Sequence, residues 1–203
     1  MKIICIGRNF VKHIQELNNE IPGEPVFFLK PDTALLPKSQ PFYLPSFSRE
    51  IHHEIEIVLR ICKEGKSISE KFALRYFDSI TVGIDFTARD IQDNQKKKGL
   101  PWEPAKAFDS SAPVGSFIPI ADIQDMDNIN FHLDINGSTV QKGNNNLMIH
   151  SFSKIISFVS TYITLRKGDL IFTGTPEGVG PVKEGDILEG FLGDKNLLSV
   201  EIK

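Results

Sequence analysis

Between Ile51 and Ile61 the apolar residues Ile51, Ile55, Ile57, Leu59 and Ile61 share one parity, while the other carries His52, Glu54, Glu56 and Arg60, with Val58 between. A period of two marks a strand with one face packed on a core. Glu54 and Glu56 then leave the same face with their bases roughly 6–7 Å apart, near enough for both carboxylates to converge on one ion. Two glutamates on one strand face are more often a solvated surface than a site, so the remaining chain has to decide between the two.

At 203 residues the chain suits one domain, 1–203, with a full core. Its 23 Lys plus Arg against 26 Asp plus Glu give a net charge of −3, which argues against nucleic acid as a partner. Cys5 and Cys62 stand in apolar, strand-like contexts and read as reduced, buried thiols, although sequence alone leaves a disulfide open. The apolar opening Ile3–Ile6 stops at Gly7-Arg8-Asn9, too short for a signal-peptide core, and no later run could span a bilayer. The expectation is a soluble cytoplasmic protein without a membrane partner.

Read in order, Ile3 to Ile6 is a first strand. Phe10, Val11, Ile14 and Leu17 then have helical spacing, with His13 and Glu16 close enough to touch on the opposite flank. A helix barely two turns long is marginal without packing, so the segment 8–24 reads as a lid. Val26–Lys30 reads as a buried strand, and the prolines at 31, 37, 41 and 45 as extended connections. Ser69 to Phe77 has a helical stripe of Phe72, Ala73, Tyr76 and Phe77, and Ile80 to Phe86 reads as a strand carrying Asp85. Thr87 and Asp90 have the spacing of a capping box opening a helix that ends at Lys96-Lys97-Lys98-Gly99. Arg89 and Gln92 share a face at its start, beside Asp85.

Asn136-Gly137 predicts a hairpin between Asn130–Ile135 and Ser138–Lys142, followed by a loop over 143–146. Ser151 to Thr164 is the clearest helix, with Phe152, Ile155, Ile156, Val159, Tyr162 and Ile163 in one stripe. Strands at Leu170–Phe172 and Ile187-Leu188 enclose the loop Thr173–Pro181. That loop lacks the lysine of a nucleotide-binding P-loop, but its glycines would let the backbone approach a small carboxylate, with Thr175 donating.

Five motifs in this order resemble the fumarylacetoacetate hydrolase family over nearly the whole chain, and most closely its short acylpyruvase and oxaloacetate decarboxylase members. They are Gly7-Arg8-Asn9-Phe10 with His13 and Glu16; His52-His53-Glu54-Ile55-Glu56; Asp85 to Asp93; Lys96 to Trp102 with Lys106; and Thr173 to Pro181. The resemblance implies an α+β, predominantly β fold, a mixed β-sandwich roll with a few short helices, and usually a homodimer. It implies a divalent ion held by Glu54, Glu56 and Asp85, with Asn9 among the substrate contacts. Phe10 where many relatives carry Tyr, and Glu103-Pro104 beside Lys106, are departures that bear on substrate preference.

Three carboxylates without a thiol make a hard, all-oxygen donor set suited to Mg²⁺ or Mn²⁺. Arg89, Gln92, Lys106 and Thr175 would surround a 2-oxo or 2,4-dioxo acid, Lys106 facing the charge that develops on an enolate oxygen. Glu16 would orient His13 as the base that activates water. The leading expectation is therefore hydrolysis of the C–C bond of acylpyruvates to pyruvate and a carboxylic acid, with oxaloacetate decarboxylation through the same enolate. Keto–enol tautomerisation of oxaloacetate, isomerisation or decarboxylation of aromatic-degradation intermediates, and a 2-oxo acid-binding protein without turnover are the alternatives.

Overall fold

The computed structural model describes residues 1–16 and 20–203, so the expected helix end at Leu17 to Asn19 lies outside the described residues. The chain runs β1 (Ile3–Gly7), α1 (Val11–Glu16), β2 (Val26–Lys30), β3 (Ile51–His53), β4 (Ile55–Ile61), α2 (Glu70–Ala73), β5 (Phe77–Ile84), β6 (Thr87–Ala88), α3 (Arg89–Lys98) and α4 (Glu103–Lys106). It continues through β7 (Ile118–Pro119), β8 (Asn130–Ile135), β9 (Ser138–Asn144), α5 (Phe152–Tyr162), β10 (Leu170–Phe172), β11 (Gly180–Pro181), β12 (Ile187–Leu192) and β13 (Lys195–Glu201). This is an α+β fold made mostly of sheet.

A mixed six-stranded sheet has the order β2-β1-β10-β4-β5-β7, its one parallel pair being β1 with β10. An antiparallel sheet of order β13-β12-β8-β9 packs against β4 and β5, and a small third sheet, β11-β3-β6, completes the fold. The β-branched run Ile55–Ile61 takes the centre of the large sheet, as its propensity favours. Ile55, Ile57, Leu59 and Ile61 point into the main core with Val82, Leu133 and Leu188, while Val58 joins Ile3, Cys5 and Phe172 in a second cluster on the opposite face. The alternation therefore marks two buried faces rather than one, with Arg60 alone exposed in that strand. Each fully buried Ile is worth about 1.5–3 kcal/mol.

The break at Glu54 positions the site. Upstream of it β3 pairs with β6 and β11; downstream β4 pairs with β5 and β10. The backbone N–H of Asp85, just past the end of β5, donates to the carbonyl of Glu54 (2.8 Å). Two acids more than thirty residues apart thus meet where a pair of strands diverges.

Several local expectations give way to tertiary contacts. Thr87 does not cap α3: it lies in β6, its hydroxyl donates to the Asp85 carbonyl and accepts from Lys106 Nζ, and Ala88 stands at the cap position. Asp90 instead accepts from Ser48 Oγ and the N–H of Arg49. β2 is a half-exposed edge strand in which only Lys30 is buried. The helix expected over Ser69–Phe77 is a four-residue α2 followed by a 3-10 turn; Phe72 is exposed and Phe77 opens β5.

Val11 and Tyr162 are exposed, Cys62 is half-buried, and β9 extends through Gly143 and Asn144 into the expected loop, with Gly143 held close beneath Phe131. The Asn136-Gly137 hairpin forms with φ of 53° and 77°, the left-handed pair a two-residue turn requires. Both cysteines are free, and among the described residues no helix is long and apolar enough to cross a membrane.

Candidate metal centre and active site

Glu54, Glu56 and Asp85 each present a carboxylate oxygen within 4.8 Å of the others, and all three side chains are buried. Unpaired, such a cluster would be prohibitively repulsive. Lys106, carried by α4, sets its Nζ 2.7 Å from Glu54 Oε2, 2.7 Å from Asp85 Oδ2 and 2.6 Å from Thr87 Oγ1. Arg89, the first residue of α3, places Nη2 2.6 Å from Glu54 Oε1 and donates from Nη1 to Gln92 Oε1 (2.6 Å). Lys30 Nζ lies 2.7 Å from Asp85 Oδ1, an ion pair by distance that lacks hydrogen-bond alignment. Among the described residues no cation pairs with Glu56, whose Oε2 accepts from the backbone N–H of Gly174 at 2.6 Å. Gly174 has a φ of 107° and passes Asn9 so closely that a Cβ would sit 2.6 Å from the Asn9 Cβ, which leaves room only for glycine.

These surroundings split the two glutamates. Burial alone would raise Glu54, but Lys106 and then Arg89 overcome it and hold its carboxyl far below the usual range. Burial raises Glu56, Asp85 and Glu54 push it further, and the Gly174 N–H only partly offsets them. Lys106 resists burial because Asp85 and Glu54 raise it above its ordinary value. The oxygens of three acids converge, and among the described residues one of the acids lacks a cationic partner and Asp85 Oδ1 has no aligned donor. A buried, all-oxygen set of this kind fits a hard divalent cation.

The cleft beside this cluster holds about 40 Å³ and is bounded by His13, Arg89, Gln92, Trp102 and Thr175 among others. His13 Nδ1 lies 3.3 Å from Glu16 Oε2, and Glu16 in turn accepts from the N–H of Gly178, which ties α1 to the glycine-rich loop. Burial lowers His13 below its ordinary value, opposed by Glu54 and Glu16. Thr175 Oγ1 accepts from Gln141 Nε2 at 2.9 Å, which leaves its hydroxyl hydrogen free for the cleft. Asn9 is the exception among the expected substrate contacts. Its Nδ2 donates to the carbonyls of His150 and Thr173 and its Oδ1 accepts from the His150 N–H, so its amide fastens two loops and does not reach the cleft.

The model of the fumarylacetoacetate hydrolase C-terminal domain matches residues 2–203. The chain belongs to the fumarylacetoacetate hydrolase family. It is 44% identical over 201 residues to the mitochondrial oxaloacetate tautomerase FAHD1 of Bos taurus, covering 99% of this chain and 90% of that protein. It is also 44% identical over 189 residues to the mitochondrial oxaloacetate decarboxylase of Dictyostelium discoideum, with 93% and 87% covered. Among solved structures, fumarylpyruvate hydrolase from Pseudomonas aeruginosa in complex with Mn²⁺ and pyruvate superposes with a TM-score of 0.94 at 35% identity, covering 100% of this chain and 89% of that one.

Sequence reasoning missed three parts of this cluster and its cleft. Lys30 is wholly buried at the end of an edge strand, and the lysine closing the run Val-Phe-Phe-Leu-Lys was its only signal. Gln141 accepts from His53 Nδ1 (2.8 Å) and the Ile55 N–H (3.0 Å), and donates to Thr175 and to the Pro176 carbonyl (3.0 Å), linking β3, β4 and the glycine-rich loop. Nothing in an exposed-looking Ser-Thr-Val-Gln-Lys strand announces that role. Arg8 and Lys96 also reach the cleft.

Proposed function

We propose that this protein is a divalent-metal-dependent enzyme that runs enol chemistry on small 2-oxo acids, with keto–enol tautomerisation of oxaloacetate as its leading reaction. The observation that carries this reading is the convergence of the Glu54, Glu56 and Asp85 carboxylates beside a buried Lys106, in a cleft that His13 also lines. The names of the tautomerase and decarboxylase relatives support the same substrate.

Glu54, Glu56 and Asp85 would hold the ion, which supplies Lewis-acid polarisation of the 2-keto group when bound. Arg89 and Gln92 bind the carboxylate next to the keto group. His13, kept neutral by burial and turned by Glu16 at Nδ1, accepts the C3 proton at Nε2 and returns a proton to the enolate oxygen. Lys106 stays protonated and stabilises the oxygen as negative charge builds on it. Helix α1, latched to the glycine-rich loop through Glu16 and through Lys12–Glu177 (3.4 Å), serves as the lid that excludes water.

Hydrolysis of acylpyruvates is the second reading, favoured by the His13–Glu16 pair. The same base can take a proton from water, whose oxygen attacks the distal carbonyl. The C3–C4 bond then breaks and pyruvate enolate leaves.

One set of assays separates the readings: loss of oxaloacetate enol absorbance in Mg²⁺ or Mn²⁺, pyruvate release from oxaloacetate, and cleavage of acetylpyruvate. Enol loss should run well above the buffer rate. Glu56→Ala should abolish every activity. His13→Ala should slow tautomerisation and hydrolysis by about 10²–10⁴-fold, and metal-assisted decarboxylation far less. Wild-type enzyme that leaves keto–enol relaxation at the buffer rate while cleaving acetylpyruvate would reverse the order of the two readings.

A further inference from the structure

The cations around the acidic cluster fall into two groups. Lys30, Arg89 and Lys106 each pair with Glu54 or Asp85 at 2.6–2.7 Å. Arg8 and Lys96 also line the cleft, yet among the described residues neither forms an ion pair or a side-chain hydrogen bond. Arg8 sits at the end of β1 with a φ of 58°, a left-handed backbone rarely adopted by a bulky side chain. Its guanidinium lies over the Trp102 ring at 5.8 Å. Lys96 stands on the last turns of α3, half-buried; burial lowers it first, and Arg89 and Arg8 add to the effect while Asp93 and Glu54 oppose it. Two half-buried cations on the wall of one cleft, neither paired with a carboxylate, give that wall a positive rim suited to an anionic ligand.

The charges of the site indicate what that anion is. Three acids against Lys30, Arg89 and Lys106 come close to neutrality. A divalent cation adds two positive charges, and Arg8 and Lys96 add two more. A monoanionic acid with a neutral acyl end leaves that excess largely unanswered, whereas a dicarboxylate meets it at both ends.

We propose that Arg8 and Lys96 form a distal-carboxylate subsite that makes the enzyme select 2-oxo dicarboxylic acids over 2-oxo acids with a neutral tail. The inference rests on the 2-oxo acid reading of the cleft and adds to it the class of acid preferred. Trp102 lies within cation–π reach of the Arg8 guanidinium, and Arg8 and Lys96, both on the cleft wall, would each offer charged donors to the far carboxylate of a bound chain.

The test uses stable ligands that differ only by the distal carboxylate, L-malate and L-lactate, titrated calorimetrically into the Mg²⁺-loaded protein. The wild type should bind malate about 10–100-fold more tightly than lactate, the range expected for charge-assisted hydrogen bonds to one carboxylate. Lys96→Met should cut that ratio several-fold, and Arg8→Gln with Lys96→Met should bring it to about twofold or less. Arg8→Gln keeps a polar side chain on the strained backbone, and thermal melting checks that each variant is folded. A double variant that preserves the malate-to-lactate ratio overturns the subsite. Parallel loss of both affinities overturns it too, since the residues would then serve the cleft as a whole. Because neither ligand is turned over, a collapse of the ratio supports the subsite even if the enol assays fail, and failure there would count only against the catalytic reading.

Discussion

Lys30 offers the sharpest test of how the cluster is held. Its side chain is fully buried, with Nζ 2.7 Å from Asp85 Oδ1 and 2.9 Å from both the carbonyl and the hydroxyl of Ser111. Lys30→Met keeps the length of the chain but strips its charge, leaving Asp85 short of a cation and the Ser111 carbonyl short of a donor. Breaking a buried ion pair from one side costs about 3–5 kcal/mol. For a chain of this size each kcal/mol moves Tm by about 2–4 °C, so the loss should be about 6–20 °C. The matched control is Lys12→Met, which removes an exposed pair with Glu177 whose side chains are 72% and 39% accessible. That change should be lost in the noise. Both variants are compared with wild type by calorimetric melting in chelator and again in Mg²⁺. A Lys30→Met shift under about 2 °C, no larger than the control, would refute the claim that this lysine neutralises the acidic cluster.

Mg²⁺ or Mn²⁺ should raise Tm through the three acids, and the increment should grow with pH. Glu56 is raised above its ordinary 4.5 by burial and by Asp85 and Glu54. In the metal-free protein its contribution is therefore present at low pH and lost as pH rises through the folded value, which is where a metal replaces the proton. Glu54 works the other way: its stabilisation is present above 4.5 and is lost only in strong acid. Melts across about pH 5–8 with chelator and with Mg²⁺ check this, and a metal increment independent of pH would contradict it. Gly174→Ala should cost about 2 kcal/mol or more through its positive φ and the clash with Asn9, and should weaken metal-induced stabilisation by releasing Glu56, as read by denaturant melts with and without Mg²⁺. Gln141→Leu strands His53, the Ile55 N–H and Thr175 inside the protein and should cost about 2–4 kcal/mol in urea unfolding.

The metal reading of the cluster and the substrate reading of its rim were legible to different depths. Glu54 and Glu56 stand out because a strand repeats every two residues, so acids among alternating isoleucines share a face wherever the strand is placed. Asp85 was legible as the acid at a strand end. What drew it to Glu54 was the divergence of β3 and β4, a feature of sheet pairing that no local pattern encodes. Asn9 was expected at the substrate because it sits in a motif with His13, yet proximity in sequence did not aim its amide, which the carbonyls of His150 and Thr173 claim. Thr87 illustrates the same competition: its spacing to Asp90 satisfied a capping rule, but a buried ammonium was the stronger partner.

By itself the sequence determined what short-range physics can dictate: the strand at 55–61, the Asn136-Gly137 turn, the α5 stripe, and the helix stop at Gly99. Periodicity, backbone sterics and capping act within a few residues, so they are readable one segment at a time. Tertiary structure alone decided who neutralises whom. Lys30 reaches Ser111 across 81 positions, Gln141 reaches His53 across 88, and Gly174 reaches Glu56 across 118. Burying a charge is tolerable only beside its counter-charge, and which groups become neighbours is known only after the sheets have closed.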